Sequence, residues 1–142
     1  MAIQRIAVLG AGQMGNGITQ VAAAAGYDVI MIDIQQEYVD KGLATIQRSL
    51  TKLVSKERMS QEDADATLAR ISLATDRSVC ADCDLVVEAV PEILDLKTSI
   101  FAELDGICKP ETILASNTSS ISISTIADAT NRPDRVIGMH FM

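Results

Sequence analysis

Apolar residues along the chain gather into six short runs, and the stretches between them keep a helical rhythm. The first run spans residues 3–9 and ends in Ile6, Ala7, Val8 and Leu9; the second spans 28–33 and holds Val29, Ile30, Met31 and Ile32. Residues 13–25 between them read as a helix, with Gly26 as its C-cap. From residue 36 to about 56, Val39, Leu43, Ile46, Leu50 and Leu53 recur at spacings of three and four, which predicts an amphipathic helix. Ser60 followed by Glu62 and Asp63 is the pattern of an N-cap with acids in the first turn, so a helix is expected to about residue 68 or 70. Residues 71–75 form a third run, and 76–82 are polar, a loop or single turn. Residues 84–90 are nearly all apolar, as befits a parallel strand covered on both faces, and Pro91 ends them. The helix that follows carries Leu96, Ile100, Leu104 and Ile107 on one side. Residues 112–116 give a fifth run, 122–129 a short helix and 134–140 a sixth run. Strands alternating with helical crossovers predict an α/β architecture with a parallel sheet.

The connection after the first run sharpens that architecture. Gly10, Ala11, Gly12, Gln13, Met14 and Gly15 spell GxGxxG between a strand and a helix, and the acid Asp33 stands at the end of the second strand, 18 residues past Gly15. This context is the dinucleotide fingerprint. Gly10 permits the tight turn, Gly12 lets the backbone approach a pyrophosphate, and Gly15 lets helix and strand pack closely. Unpaired N–H groups at the helix N-terminus favour the phosphates. The alternative is a glycine-rich turn that binds nothing. The expected fold is therefore Rossmann-type and doubly wound, a mainly parallel sheet with helices on both faces, in the order 3-2-1-4-5-6. A carboxylate at Asp33 can accept hydrogen bonds from ribose hydroxyls and repels a 2′-phosphate, and Ile34, Gln35 and Gln36 supply no Arg. NAD is expected over NADP; the fingerprint alone also admits FAD.

Composition narrows the partners. The 142 residues make one domain able to bury a core. A net charge of −7, no Trp, two Tyr and two Phe disfavour nucleic-acid binding. Three cysteines, an odd number, suit a reducing compartment, and Cys80-Ala81-Asp82-Cys83 has no second CxxC to complete a zinc site. With a single histidine, no metal centre is expected. Gln13, Asn16 and Gln20 break the signal-peptide pattern that Arg5 and the alanines 22–25 suggest, and no apolar stretch reaches the ~18 residues of a membrane span. The expected location is the cytoplasm, with no membrane partner.

Ligands of open α/β sheets bind beyond the carboxyl ends of the strands. Glu88 and Glu92, residues 116–120 and His140 all fall there. His140 is the one side chain among them whose ordinary pKa suits base chemistry near neutrality. It could equally be structural, and the serines could simply cap a helix. The second helix carries Lys41, Arg48, Lys52 and Lys56 beside Ser49. They form either a solvated face or a phosphate-contacting surface.

Four segments together resemble the 3-hydroxyacyl-CoA dehydrogenase family, including its short-chain 3-hydroxybutyryl-CoA members. They are the glycine turn, Val87-Glu88-Ala89-Val90-Pro91-Glu92, Ser116-Asn117-Thr118-Ser119-Ser120, and Gly138-Met139-His140-Phe141-Met142, with 21 residues from Ser119 to His140. The resemblance covers the whole chain and implies NAD-dependent oxidation of an L-3-hydroxyacyl-CoA to the 3-oxoacyl-CoA. It implies His140 as the base taking the hydroxyl proton and Ser119 as a hydrogen-bond donor to the substrate oxygen near the nicotinamide. It further implies Asp33, Glu92, Lys97 and Asn117 at the cofactor, and Ser49, Lys52 and Lys56 at coenzyme A. The family continues past the histidine into a loop with a glutamate that orients it, then into a helical domain that completes the active site and the homodimer. Residues 1–142 are accordingly expected to be the NAD-binding domain, with the C-terminal helical domain absent from this chain and little activity alone. The competing readings are another NAD-dependent hydroxyacid dehydrogenase and a non-catalytic NAD-binding module.

Overall fold

A computed structural model describes residues 2–141; Met1 and Met142, the last residue of the fourth motif, lie outside the described residues. Six strands form one sheet: β1 (Arg5–Leu9), β2 (Asp28–Ile32), β3 (Ile71–Ala74), β4 (Leu85–Glu88), β5 (Ile113–Ser116) and β6 (Val136–Gly138). All neighbours pair in parallel, in the order β3-β2-β1-β4-β5-β6. The helices are α1 (Gln13–Ala24), α2 (Gln36–Ser55), α3 (Gln61–Ala69), α4 (Leu94–Ile107) and α5 (Ile123–Ala127). The expected strand order and crossovers are all found.

Successive strand residues point to opposite faces, so the sheet feeds separate cores. Ala7, Leu9, Val86 and Leu114 pack under α4 and α5 with Ile100, Phe101, Leu104 and Ile126. Ile6, Val8, Val29, Leu85 and Val87 pack on the other face against Ile18 and Ala23 of α1. Beyond them Met31 meets Val39, Ile46 and Leu50 of α2 and Ala64 of α3. Parallel ladders align the strand ends, and hydrogen bonds continue one step beyond them: Gly10 N–H donates to Ile32 O at 2.7 Å, Ala89 N–H to Leu9 O at 2.8 Å, and Asn117 N–H to Glu88 O at 2.8 Å. The residues after β1, β2, β4 and β5 thus form one polar edge.

Several boundaries differ from the sequence expectation for local reasons. β4 ends at Glu88, not residue 90, because Val90 N–H turns back to the Glu88 carboxylate at 2.7 Å and leaves the ladder. The inward face of α4 is Lys97, Ile100, Phe101 and Leu104, while Leu96 is 37% exposed. β6 is confined to Val136–Gly138, since residues 133–135 close a 3₁₀ turn begun by Pro133. The polar stretch after β3 is a 3₁₀ helix, Arg77–Asp82, capped by Asp76, whose carboxylate accepts from Ser78 N–H at 2.8 Å. It delivers Cys80 and Cys83 into the core, where both are free thiols.

Arg132 secures the far end of α4. It is 8% exposed. Its Nε donates to Asp105 Oδ1 at 2.6 Å, and its terminal nitrogens donate to the carbonyls of Asp105, Cys108, Lys109 and Thr112. A helix leaves its last carbonyls without partners, and one guanidinium supplies several at once while joining α4 to the start of β5. Removing it leaves a half-buried carboxylate with only the Asn131 N–H, and deprives those carbonyls of their donor. Arg132→Met is expected to destabilise the chain by ~3 kcal/mol or more, read as a lower urea midpoint at unchanged slope.

Candidate functional site

The glycine turn is shaped by contacts that no side chain would permit. Gly10 has φ +111°, and a Cβ there would lie 2.6 Å from the carbonyl oxygen of Ala89. A Cβ on Gly15 would lie 1.8 Å from the carbonyl oxygen of Gly10. α1 can start where it does only because residue 15 has no side chain. Gly12 is different: a Cβ would meet nothing within 4 Å. No protein atom occupies that space, which is what close approach of a ligand requires. Gly12 is also the N-cap of α1 and makes no side-chain capping bond, so the first N–H groups of the helix are left for an anion.

Asp33 stands beside this turn. Its carboxylate accepts from Ala11 N–H at 2.9 Å and from Ile34 N–H at 2.7 Å. One bond per oxygen fixes the group and leaves lone pairs for hydroxyl donors. A cleft of about 630 Å³ runs over the turn, lined among others by Gly12, Met14, Asp33, Val90 and Leu96. Arg77 also lines it. The sequence places no cation within three residues of Asp33, but the fold brings one from the 3₁₀ helix that follows β3.

At the other side of the strand edge lies a buried ionic network. Lys97 and Glu88 are both 0% exposed, with Nζ 2.8 Å from Glu88 Oε2 and 2.7 Å from Glu92 Oε1. Ser116 donates to Glu88 Oε1 at 2.5 Å. Thr118 and Ser120 donate to Glu92 Oε2 at 2.7 and 2.6 Å. Burial pushes the Glu92 carboxyl up, but the bonds from Lys97, Ser120 and Thr118 outweigh it and hold the group at about 2. Lys97, expected at the cofactor, is therefore enclosed by protein. Glu92, its partner, has its own side chain 38% exposed.

The loop after β5 carries Asn117 and Ser119. Ser119 is exposed, between the two hydroxyl residues held by Glu92. Asn117 Oδ1 accepts from Phe141 N–H at 3.1 Å, and Met139 N–H donates to Ser116 O at 3.0 Å. These bonds bracket His140, so Ser119 and His140 leave adjacent strands at one edge. His140 is exposed and makes no side-chain hydrogen bond or ion pair among the described residues. On α2, Lys52 and Lys56 are exposed, and Lys56 is the helix C-cap. Ser49 is half-buried and accepts from Gln20 Nε2 at 3.0 Å. Lys52 lines a surface groove of about 480 Å³ with Arg48; Ser49 and Lys56 do not line it. No cluster of His, Cys, Asp and Glu suited to a metal ion occurs among the described residues.

The family model described as "3-hydroxyacyl-CoA dehydrogenase, NAD binding domain" matches residues 5–142. The chain belongs to the 3-hydroxyacyl-CoA dehydrogenase family. It is 49% identical over 140 residues to the 3-hydroxybutyryl-CoA dehydrogenase of Bradyrhizobium diazoefficiens, covering 99% of this chain and 48% of that relative. The crystal structure of (S)-3-hydroxybutyryl-CoA dehydrogenase from Ralstonia eutropha superposes with a TM-score of 0.96 at 45% identity, over 99% of this chain and 50% of that one. That of 3-hydroxybutyryl-CoA dehydrogenase from Escherichia coli gives 0.98 at 40% identity, over 100% and 30%. The chain spans about half the length of the curated 3-hydroxybutyryl-CoA dehydrogenases it matches. Its cofactor is NAD, as the family's domain description states. The open space at Gly12, the uncapped N-terminus of α1 and the anchored Asp33 suit that cofactor.

Two features of this edge escape the sequence reading. Glu88 figures there only as a strand-end acid, and nothing local marks Lys97 as buried. The nine-residue interval between them, across a Pro-terminated strand and into a helix, is the available clue. The network makes the edge acid-sensitive. The folded pKa of Glu92, about 2, lies below its ordinary 4.5, so its contribution is complete above 4.5 and is lost as pH falls toward 2. Asp84, held at about 2 chiefly by Lys109 and the Gln4 and Arg5 N–H groups, is lost over a similar range. Urea midpoints are expected to fall as pH drops from about 4.5 toward 2, and Glu92→Gln should make that fall shallower without abolishing it.

Proposed function

We propose that residues 1–142 are the NAD-binding domain of an enzyme that oxidises L-3-hydroxyacyl-CoA, short-chain 3-hydroxybutyryl-CoA in particular, to the 3-oxoacyl-CoA. The observation that carries this reading is the tethering of Ser119 and His140 to neighbouring strand ends at the cofactor edge, through Asn117 Oδ1 to Phe141 N–H. NAD, when bound, would supply the acceptor for the hydride that leaves C3 of the substrate. The chain's residues then have the following parts. His140 takes the proton from the 3-hydroxyl as the C–H bond breaks, and the former hydroxyl oxygen becomes the carbonyl. Ser119 donates a hydrogen bond to that oxygen and fixes its place between base and nicotinamide. Gly10, Ala11, Gly12, Gln13, Met14 and Gly15 hold the pyrophosphate, Asp33 the adenosine ribose, and Asn117 and Glu92 the nicotinamide side. Lys97 acts through Glu92, since protein encloses its ammonium.

Coenzyme A is assigned to the basic face of α2, with Ser49, Lys52 and Lys56 as contacts. The exposure of both lysines supports this; Ser49 must exchange its bond with Gln20. A homodimer formed through a helical C-terminal domain and a cytoplasmic location belong to the same proposal. No helix among the described residues is long and apolar enough to cross a membrane.

The deciding measurement is NADH formation from L-3-hydroxybutyryl-CoA by a protein extended to its relatives' length. His140→Gln should lower kcat about a hundredfold or more while NADH affinity stays unchanged, since the base acts on substrate and not on cofactor. Residues 1–142 alone should bind NADH and turn over slowly, because no carboxylate among the described residues orients the His140 ring. An extended protein that binds NADH without turnover would favour the non-catalytic module.

The α2 assignment makes a separate prediction. Lys52→Ala with Lys56→Ala should raise the acyl-CoA dissociation constant about threefold to tenfold at low salt, less at high salt, because exposed charges are screened. NADH titrations should not change.

A further inference from the structure

The ribose end of the cleft carries a second charge besides Asp33. Arg77 follows β3, whose end lies beside that of β2, with Ala74 in register with Ile32. Arg77 and Asp33 both line the main cleft, and both line a smaller cavity at its end with Thr75. A guanidinium in this place is what a 2′-phosphate needs. Arg77 is the one cation among the lining residues of the cleft. Its guanidinium is engaged elsewhere, however: Nε and Nη2 donate to the same oxygen of Glu103 on α4, at 3.0 and 2.6 Å. Glu103 does not itself line the cleft.

We propose that Glu103 is a specificity-determining residue, which holds Arg77 and cancels its charge so that the field of Asp33 prevails at the adenosine ribose. The local charges are then one cation between two carboxylates, a net negative site that admits ribose hydroxyls and rejects a 2′-phosphate. Without Glu103, Asp33 and Arg77 balance, and the five N–H donors of the guanidinium become available to a phosphate. The competing account is a structural staple between the 3₁₀ helix and α4. It predicts a small change in stability and none in cofactor preference. The inference rests on NAD occupying this cleft, which the unaltered chain tests on its own.

Glu103→Gln keeps the side-chain shape and removes the charge. Arg77 and Glu103 are 32% and 44% exposed as side chains, so the fold tolerates the change, which thermal melting verifies. NADH and NADPH are titrated by nucleotide fluorescence at low and high salt against the unaltered chain, Glu103→Gln, and Glu103→Gln with Arg77→Gln. Glu103→Gln should tighten NADPH binding about threefold to tenfold and leave NADH within about twofold, with the gain shrinking at high salt. The gain should vanish in the double variant. An NADPH-to-NADH ratio that Glu103→Gln does not move, or a gain that survives loss of Arg77, would overturn the proposal while NADH binding by the unaltered chain stands. A chain that binds neither nucleotide would overturn the cleft assignment and the proposal together.

Discussion

The carbonyl of Gly10 occupies the place where a side chain at residue 15 would have to go. That contact sets how near α1 comes to the end of β1, and much else follows from it. With α1 drawn in, Ala11 N–H reaches the Asp33 carboxylate, so the acid at the end of the second strand is oriented by the turn after the first. The helix dipole and its unpaired N–H groups then face the same space as that carboxylate, one attracting phosphate and the other hydroxyl donors. Gly42 of α2 continues the same close packing: a Cβ there would come within 2.8 Å of Ala11 O. The turn is thus gripped from strand, helix and neighbouring helix by positions too crowded for any side chain.

A different kind of interaction governs the other half of the edge. Burying an ammonium and a carboxylate is costly, and the cost is offset only when hydrogen bonds satisfy both groups. Lys97 meets two carboxylates, and Glu88 also receives Val90 N–H and Ser116. Such a network adds little to stability compared with an apolar core. Its effect is positional. It joins the end of β4, the first turns of α4 and the loop after β5, and through Glu92 it holds the residues on both sides of Ser119. Ser119 is left exposed on a loop whose neighbours are fixed.

The strand order, the five helices and the glycine turn were legible because each rests on local periodicity or on a motif a few residues long. What the sequence did not reveal depends on pairs far apart in the chain. Lys97, expected at the cofactor, shares its helix face with Ile100, Phe101 and Leu104, and nothing near it in the chain shows that it is buried against Glu88. Arg77 is invisible as a neighbour of Asp33 because the two come together only through lateral pairing of β2 and β3. Arg132 closes the end of α4 through partners 20 to 27 residues away in the chain. The early end of β4 has the same origin: the Glu88 side chain competes with the ladder for the Val90 N–H. His140 and Ser119 were legible as residues and as a spacing, while the bond from Phe141 to Asn117 that ties their segments together was not.

The three cysteines lie together in the core beneath α4 and α5. Burial pushes the thiols of Cys80 and Cys83 up, and that of Cys108 to about 11. Alkylating and oxidising reagents attack the thiolate, so the folded chain is nearly inert to them at neutral pH. A reagent reaches these sulfurs when the 3₁₀ helix or the end of α4 opens, and the rate of modification then counts those openings. The molecule carries a built-in chemical counter of its own breathing, on the 3₁₀ helix and at the end of α4 that Arg132 closes.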